Sequence, residues 1–219
     1  MTQSLAAGLE AGLAALRLSL STSQTQALLD YLALLQKWNQ VYNLTALREP
    51  ERMLSHHLID CLAVVDPLRK QLQAMAASPA PRLLDVGSGA GLPGAVLAIC
   101  LPELQIDCVD TVAKKATFIQ QVALSLRLPN LRGIHARVES LSAAYQVISA
   151  RAFSSLPDLV AGSQAALLPG GVWMAMKGKT PEDEMQALPP AVQVSRVELL
   201  EVPDLDAQRC IVWMRRVQA

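Results

Sequence analysis

The run Asp85-Val86-Gly87-Ser88-Gly89-Ala90-Gly91-Leu92-Pro93-Gly94 holds the chemistry most readily read from this chain. Three glycines at alternate positions, Gly87, Gly89 and Gly91, let a backbone bend sharply and approach a ligand with no Cβ in the way. Leu83, Leu84 and Val86 read as a short buried strand, and Pro93 suits the first residue of a following helix. Strand, glycine turn and helix start together make a nucleotide-type pocket. The acid Asp85, two residues before the first glycine, favours a ligand that carries a cation, as the α-amino group of S-adenosylmethionine does. The alternative is a nicotinamide dinucleotide, because Gly89, Gly91 and Gly94 satisfy GxGxxG. That fingerprint opens directly after its strand, however, where the first glycine is Gly87 and the last required position falls on Leu92. A tight turn with no ligand is the plainest reading, and three glycines flanked by acids argue against it.

Further candidates follow the same strand-end logic. Asp110 closes the next apolar run at the spacing of an acid that accepts from ribose hydroxyls, or else it caps the helix that follows. Arg137-Val138-Glu139 ends a third strand, where an adenine edge would lie, although Glu139 reads equally well as a solvated charge. Arg151 ends the apolar strand Val147-Ile148-Ser149-Ala150 and is carried to the sheet edge where ligands bind, unless it pairs with Asp85 or Asp158. Lys177 and Lys179 flank Gly178 on that same edge. Gly178-Lys179-Thr180 is no phosphate loop, because Trp173 stands where a glycine is required. His56, His57 and Asp60 fall within one helical turn as a general base pair would, yet such groups more often make core polar contacts.

These residues need elements to position them. Leu5, Leu9, Leu13, Leu16 and Leu20 form one helical stripe, and Ser23 with Gln26 reads as a capping box for a second helix over 24–38. Two more helices are predicted over 52–65 and 68–75, and Ala77-Ser78-Pro79-Ala80-Pro81 as a linker. Strands are predicted over 83–86, 105–109, 131–135, 147–150 and 171–176, with helices over 93–100, 114–126 and 156–168 between them. Strands over 196–202 and 210–215 have no helix between them and read as an antiparallel hairpin. The sum is an N-terminal helical segment, residues 1–77, before an α/β domain, 78–219, with a doubly wound sheet and one antiparallel edge strand.

Composition narrows the partners. The 219 residues are 52% hydrophobic and 17% charged with zero net charge, so a polyanion must find a local patch rather than a global field. Cys61, Cys100, Cys108 and Cys210 are scattered without metal-ligand spacing and read as core residues of a reducing, cytoplasmic setting, with no metal and no membrane span.

Across nearly its whole length the chain resembles the bacterial ribosomal RNA small subunit methyltransferase G family, also called GidB. The resemblance rests on Leu83 to Gly94, on Lys37-Trp38-Asn39 with Tyr42-Asn43-Leu44-Thr45, and on His57-Leu58-Ile59-Asp60. It also rests on Arg137-Val138-Glu139, Ser149-Ala150-Arg151-Ala152-Phe153 and Lys177-Gly178-Lys179. It implies a Rossmann-like class I methyltransferase fold and transfer from S-adenosyl-L-methionine to N7 of one guanine, position 527, of 16S ribosomal RNA. The expected substrate is the RNA or a small-subunit particle and the expected state a monomer; a cofactor-sensing RNA-binding protein without turnover is the rival. Family cofactor positions carry over to Gly87, Leu92, Val138, Glu139 and Arg151, joined in the residue reading by Asp85, Gly89 and Asp110. Arg151 and Lys177 are expected at RNA phosphate or the guanine edge, with Arg137 and Lys179 as outer contacts. One departure is Gln146, where the family often has Asp ahead of the fourth strand. N7 of guanine carries no proton, so no general base is required and none is assigned.

Overall fold

The computed structural model describes residues 2–75, 80–142 and 144–217. Seven strands form one sheet in the order β3-β2-β1-β4-β5-β7-β6. They are β1 (Arg82–Val86), β2 (Gln105–Asp110), β3 (Leu131–His135), β4 (Tyr145–Arg151), β5 (Leu167–Lys177), β6 (Val192–Leu200) and β7 (Arg209–Arg216). β1 to β5 pair in parallel, while β7 runs antiparallel to both β5 and β6. The hairpin is as expected from sequence, but the reversed strand is not at the edge. β7 inserts beside β5 and leaves β6 outermost, because β7 is the apolar strand: Cys210 to Met214 are buried, whereas β6 is half-exposed throughout.

Strand alternation divides the core between the two sheet faces. Leu83, Val147, Met174 and Trp213 point to one face, and Leu84, Ile148, Trp173 and Val212 to the other. The first face is covered by α6 (Gly94–Cys100), α7 (Ala113–Ser125) and the N-terminal helices. The second is covered by α8 (Leu156–Ser163), with short α9 (Glu182–Gln186) packed near it. The N-terminal helices are α1 (Thr2–Ala15), α2 (Thr22–Tyr42), α3 (Pro50–Met53), α4 (Asp60–Leu62) and α5 (Val65–Ala74), with a π-helical stretch, Leu54–Ile59, joining α3 to α4. Leu9, Leu28, Leu32, Leu58 and Leu62 belong to one continuous cluster with Ile99, Ile106 and Phe118, so these helices share the core of the sheet. The expected linker lies outside the described residues at Ala77, Ser78 and Pro79. Among the described residues no helix is long and apolar enough to cross a membrane.

Four boundaries differ from the sequence reading. The capping box of α2 is Ser21 with Gln24, not Ser23 with Gln26. Gln24 also donates to the carbonyls of Ile99 and Cys100 at 2.9 and 3.2 Å, a tertiary contact at the end of α6 that selects the earlier register. Helix α8 stops at Ser163, whose hydroxyl accepts from the Trp173 indole at 2.9 Å and marks where the chain turns back. β5 then begins at Leu167 and carries Pro169-Gly170-Gly171 through a register shift. A reading that treats Pro-Gly-Gly as a terminator misses such a bulge. Pro93 is the residue before α6 rather than its first helical residue.

Candidate active site

The bend after β1 is braced from three directions. From below, Asp85 Oδ2 accepts from the Gly94 N–H at 3.0 Å, while its Oδ1 accepts from the Ser149 hydroxyl at 2.9 Å, the two residues being paired across β1 and β4. From β2, Asp110 accepts from Gly89 N–H at 3.1 Å and from Val112 N–H at 2.9 Å, with the Lys115 ammonium 3.5 Å away. From α2, the buried Tyr31 hydroxyl donates to the Ala90 carbonyl at 2.8 Å. Tyr31→Phe leaves that loop carbonyl without its partner and should cost about 1–3 kcal/mol in a urea melt; an unchanged midpoint and slope would show that the α2 brace is immaterial.

Gly87 is where the backbone requires glycine. Its φ is +63°, and a Cβ there would lie 2.5 Å from Cδ2 of the Phe153 ring. Gly89 is also left-handed, at +58°, and a Cβ there would meet nothing within 4 Å, so this backbone faces open space that a ligand can occupy. Beside it lies a cleft of about 320 Å³ at the carboxyl edge of the sheet, the size of a small-ligand site. Val86, Val109, Val112, Ala136, Val138 and Phe153 give it apolar walls, and Asp110 and Glu139 place carboxylates on it. This cradle suits a flat base with hydroxyl and ammonium donors attached, which is the make-up of S-adenosylmethionine.

A second polar cluster lies where the N-terminal helices meet the sheet. Asp60, 4% exposed at its side chain, accepts from Arg151 Nη1 at 2.9 Å and from Arg209 Nε at 2.7 Å. Arg151 also donates to the His56 carbonyl at 3.0 Å and, through Nη2, to His57 Nδ1 at 3.3 Å. His57 Nδ1 also lies 3.2 Å from the His56 carbonyl, and Nε2 is hydrogen-bonded to Thr45 Oγ1 at 2.8 Å, so both ring nitrogens are engaged inside the cluster. Burial, then the adjacent Arg151 charge, lowers the His57 pKa to about 4 and keeps the ring neutral.

The chain and its fold match known proteins. The GidB profile, rRNA small subunit methyltransferase G, matches residues 24–212. The chain belongs to this family. A ribosomal RNA small subunit methyltransferase G of Paracidovorax citrulli is 62% identical over 218 residues, covering 96% of this chain and 90% of that protein. Among solved structures, TrmN from Thermus thermophilus superposes with a TM-score of 0.57 at 20% identity, covering 75% of this chain and 53% of that one. A SAM-dependent methyltransferase from Aquifex aeolicus gives 0.52 at 15% identity, covering 77% and 94%. These two likenesses concern the fold, which is that of class I methyltransferases.

Within this family member the predicted site residues separate into groups. Gly87, Asp110, Arg137, Val138 and Glu139 line the cleft together. Gly89 adjoins it through its hydrogen bond to Asp110. Asp110 is not a side-chain cap for α7, which starts after Val112 without one. Leu92 and Asp85 lie beneath the bend, 4% and 0% exposed, and do not line the cleft. Arg151 pairs with neither Asp85 nor Asp158 but with Asp60, and its two Nη atoms are engaged there rather than presented to a ligand. Lys177 is likewise engaged, donating to Glu184 at 2.8 Å and to the Ser154 carbonyl at 2.9 Å. Arg137 and Lys179 are exposed. Gln146 lies inside β4 and accepts from the Arg82 N–H at 2.8 Å, a structural bond at the far edge of the sheet. His56, His57 and Asp60 form the Arg151 cluster and present no base to the cleft. The residues missed by the sequence reading are Tyr31, Phe153, Glu184 and Arg209. The partners of Tyr31, Phe153 and Arg209 lie tens of residues away, and that of Glu184 lies seven residues away across a loop, so no local spacing announces such pairs.

Burial raises the Asp85 pKa from 3.8 to about 7, against the opposing pull of the Gly94 N–H and the Ser149 hydroxyl. The native state therefore holds this proton more tightly than the unfolded chain. The stability it lends is full below the unfolded value near 3.8 and is lost as pH rises through 7. Asp85→Asn removes the titration, so its stability relative to the natural protein should rise by a few kcal/mol, on the order of 4 at most, between acid and pH 8. Parallel stability curves over that range would show that Asp85 does not titrate in the fold.

Proposed function

We propose that this chain transfers a methyl group from S-adenosyl-L-methionine to N7 of one guanine in 16S ribosomal RNA, position 527 by the family resemblance. The observation that supports this most is the cleft beside Gly87 and Gly89, open at the carboxyl edge of the sheet and flanked by Asp110 and Glu139. When bound, the cofactor supplies an electrophilic methyl on a sulfonium. Gly87 and Gly89 admit it closely, Asp110 and Glu139 accept from its hydroxyls and base edge, and Val138 packs against the base. Asp85 and Leu92 act from underneath, keeping the bend in shape. Guanine N7 presents a bare lone pair, so the protein has no proton to remove and works by alignment and by excluding water. Alignment of this kind is worth up to about 7–11 kcal/mol in small systems.

Exposed Arg137 and Lys179 serve as outer RNA contacts. Arg151 and Lys177 act indirectly: their ion pairs hold the segment from Ala152 to Ser155, which carries Phe153 against Gly87. The helices of residues 1–77 shape the entrance to a methyltransferase domain of residues 78–219, in a monomeric cytoplasmic enzyme. Incubation with labelled adenosylmethionine and small-subunit RNA from a strain lacking the modification tests this reading. Label confined to one 7-methylguanosine is the expected result. Donor binding without transfer to RNA or particle would instead support a sensor without turnover.

A further inference from the structure

A cavity larger than the cleft lies elsewhere in the molecule. A groove of about 790 Å³ opens at the opposite edge of the sheet, between α5, the Pro169-Gly170-Gly171 bulge of β5, and β6 and β7. Among the described residues its lining holds three arginines, Arg196, Arg215 and Arg216, and no Asp or Glu. In a chain with zero net charge this is a local surplus.

All three guanidinium groups have protein partners that bias their direction. Arg196 lies 4.5 Å over the Trp213 ring, donates to Gln71 at 2.9 Å and meets Glu198 at 3.3 Å. Arg215 places Nε and Nη2 3.0 and 3.2 Å from the side-chain amide of Gln193, whose oxygen accepts from both once that amide is turned to face the guanidinium. Arg216 donates through Nη2 to the carbonyls of Gln164 and Leu167. Among the described residues only Arg196 meets a carboxylate. Arg215 and Arg216 rest on neutral oxygens, which bias their direction without cancelling their charge. Such contacts lower the cost of directing these exposed side chains at a ligand. The floor is also approachable: a Cβ on Gly170 would meet nothing within 4 Å. Oriented arginine forks, no acids and a wide open groove match the chemistry of phosphodiester oxygens.

We propose that this groove binds the phosphate backbone of an RNA segment remote from the target guanine. The proposal rests on the ribosomal RNA reading above and deepens it. β5 runs from the groove at Leu168 to Lys177 at the cleft edge, which at about 3.3 Å per residue places the two sites roughly 20–30 Å apart. A stem-loop trimmed to a few base pairs beside the target guanine does not span that distance. A folded small-subunit RNA or an assembling particle does, so the groove selects the large substrate.

The experiment compares the full chain with Arg215→Ala/Arg216→Ala on two RNAs, that trimmed stem-loop carrying the target guanine and full-length small-subunit RNA. Binding is measured against salt, together with methyl transfer. For the full-length RNA the double variant should raise Kd and KM about tenfold at unchanged kcat, and flatten the log Kd against log salt slope by about 1–2. For the stem-loop nothing should change. The charge-retaining variant Arg215→Lys/Arg216→Lys should restore the salt slope while recovering only part of the affinity, which separates charge from misfolding. Equal effects on both RNAs, or no effect on either, would overturn the proposal. Should the natural protein bind RNA but methylate neither substrate, the enzymatic reading fails while the slopes still decide the groove.

Discussion

Asp60→Ala is expected to destabilise the protein by about 3–5 kcal/mol and to abolish methyl transfer at growth temperature. One buried carboxylate serves both Arg151 and Arg209, whose side chains are 19% and 24% exposed. Removing it leaves two largely desolvated cations facing each other with no counter-charge, which is the costly way to break a buried pair. Against a total stability of about 5–15 kcal/mol the loss is large. It also strikes function, since Arg151 leads through Ala152, itself in a left-handed conformation at φ +53°, to Phe153 at the cleft. A urea melt gives the stability. The apolar replacement Asp60→Leu with Arg151→Met should recover part of it, because a well-packed hydrophobic pair needs no counter-ion. If Asp60→Ala melts within about 1 kcal/mol of the natural protein, the cluster is too hydrated to hold the helices to the sheet.

Gly87→Ala should cost the cofactor site at least tenfold in affinity. Left-handed backbone costs an L-residue about 1–2 kcal/mol, and the new methyl would lie 2.5 Å from the Phe153 ring. Overpacking of that kind typically adds about 1–3 kcal/mol. Either the bend flattens or the ring swings, and both deform the cleft. The two contributions separate in a double-mutant cycle. Phe153→Ala in the Gly87→Ala background should relieve the clash and leave the backbone cost, giving a non-zero coupling energy between the two positions. Purely additive effects would show that the ring does not enforce glycine here.

The order of strands and helices was legible because each parallel strand is a short apolar run with a turn signal at its end, as at Leu83 to Gly87 or Val147 to Arg151. The cleft was legible for the same reason. Residues at successive strand ends, Gly87, Asp110 and Arg137 to Glu139, are brought to one edge by the topology alone. What stayed hidden depends on contacts between distant segments. Arg151 looks like a ligand-facing cation until Asp60, 91 residues earlier, is seen to accept from it. Asp85 looks like a cofactor anchor until its oxygens are found on Gly94 and Ser149. The position of β7 inside the sheet follows from its buried Ile211 to Met214 face against a half-wet β6, a comparison of two strands rather than a property of either.

The central claim is that the cleft between the glycine bend and the carboxylates of β2 and the Val138-Glu139 turn seats the methyl donor. Calorimetric titration of adenosylmethionine into the natural chain and into Asp110→Ala, with each fold verified by its melt, tests it most directly. Saturable one-to-one binding that weakens at least tenfold in the variant is the predicted outcome. Binding of equal strength to both proteins, or no heat from either, would contradict it.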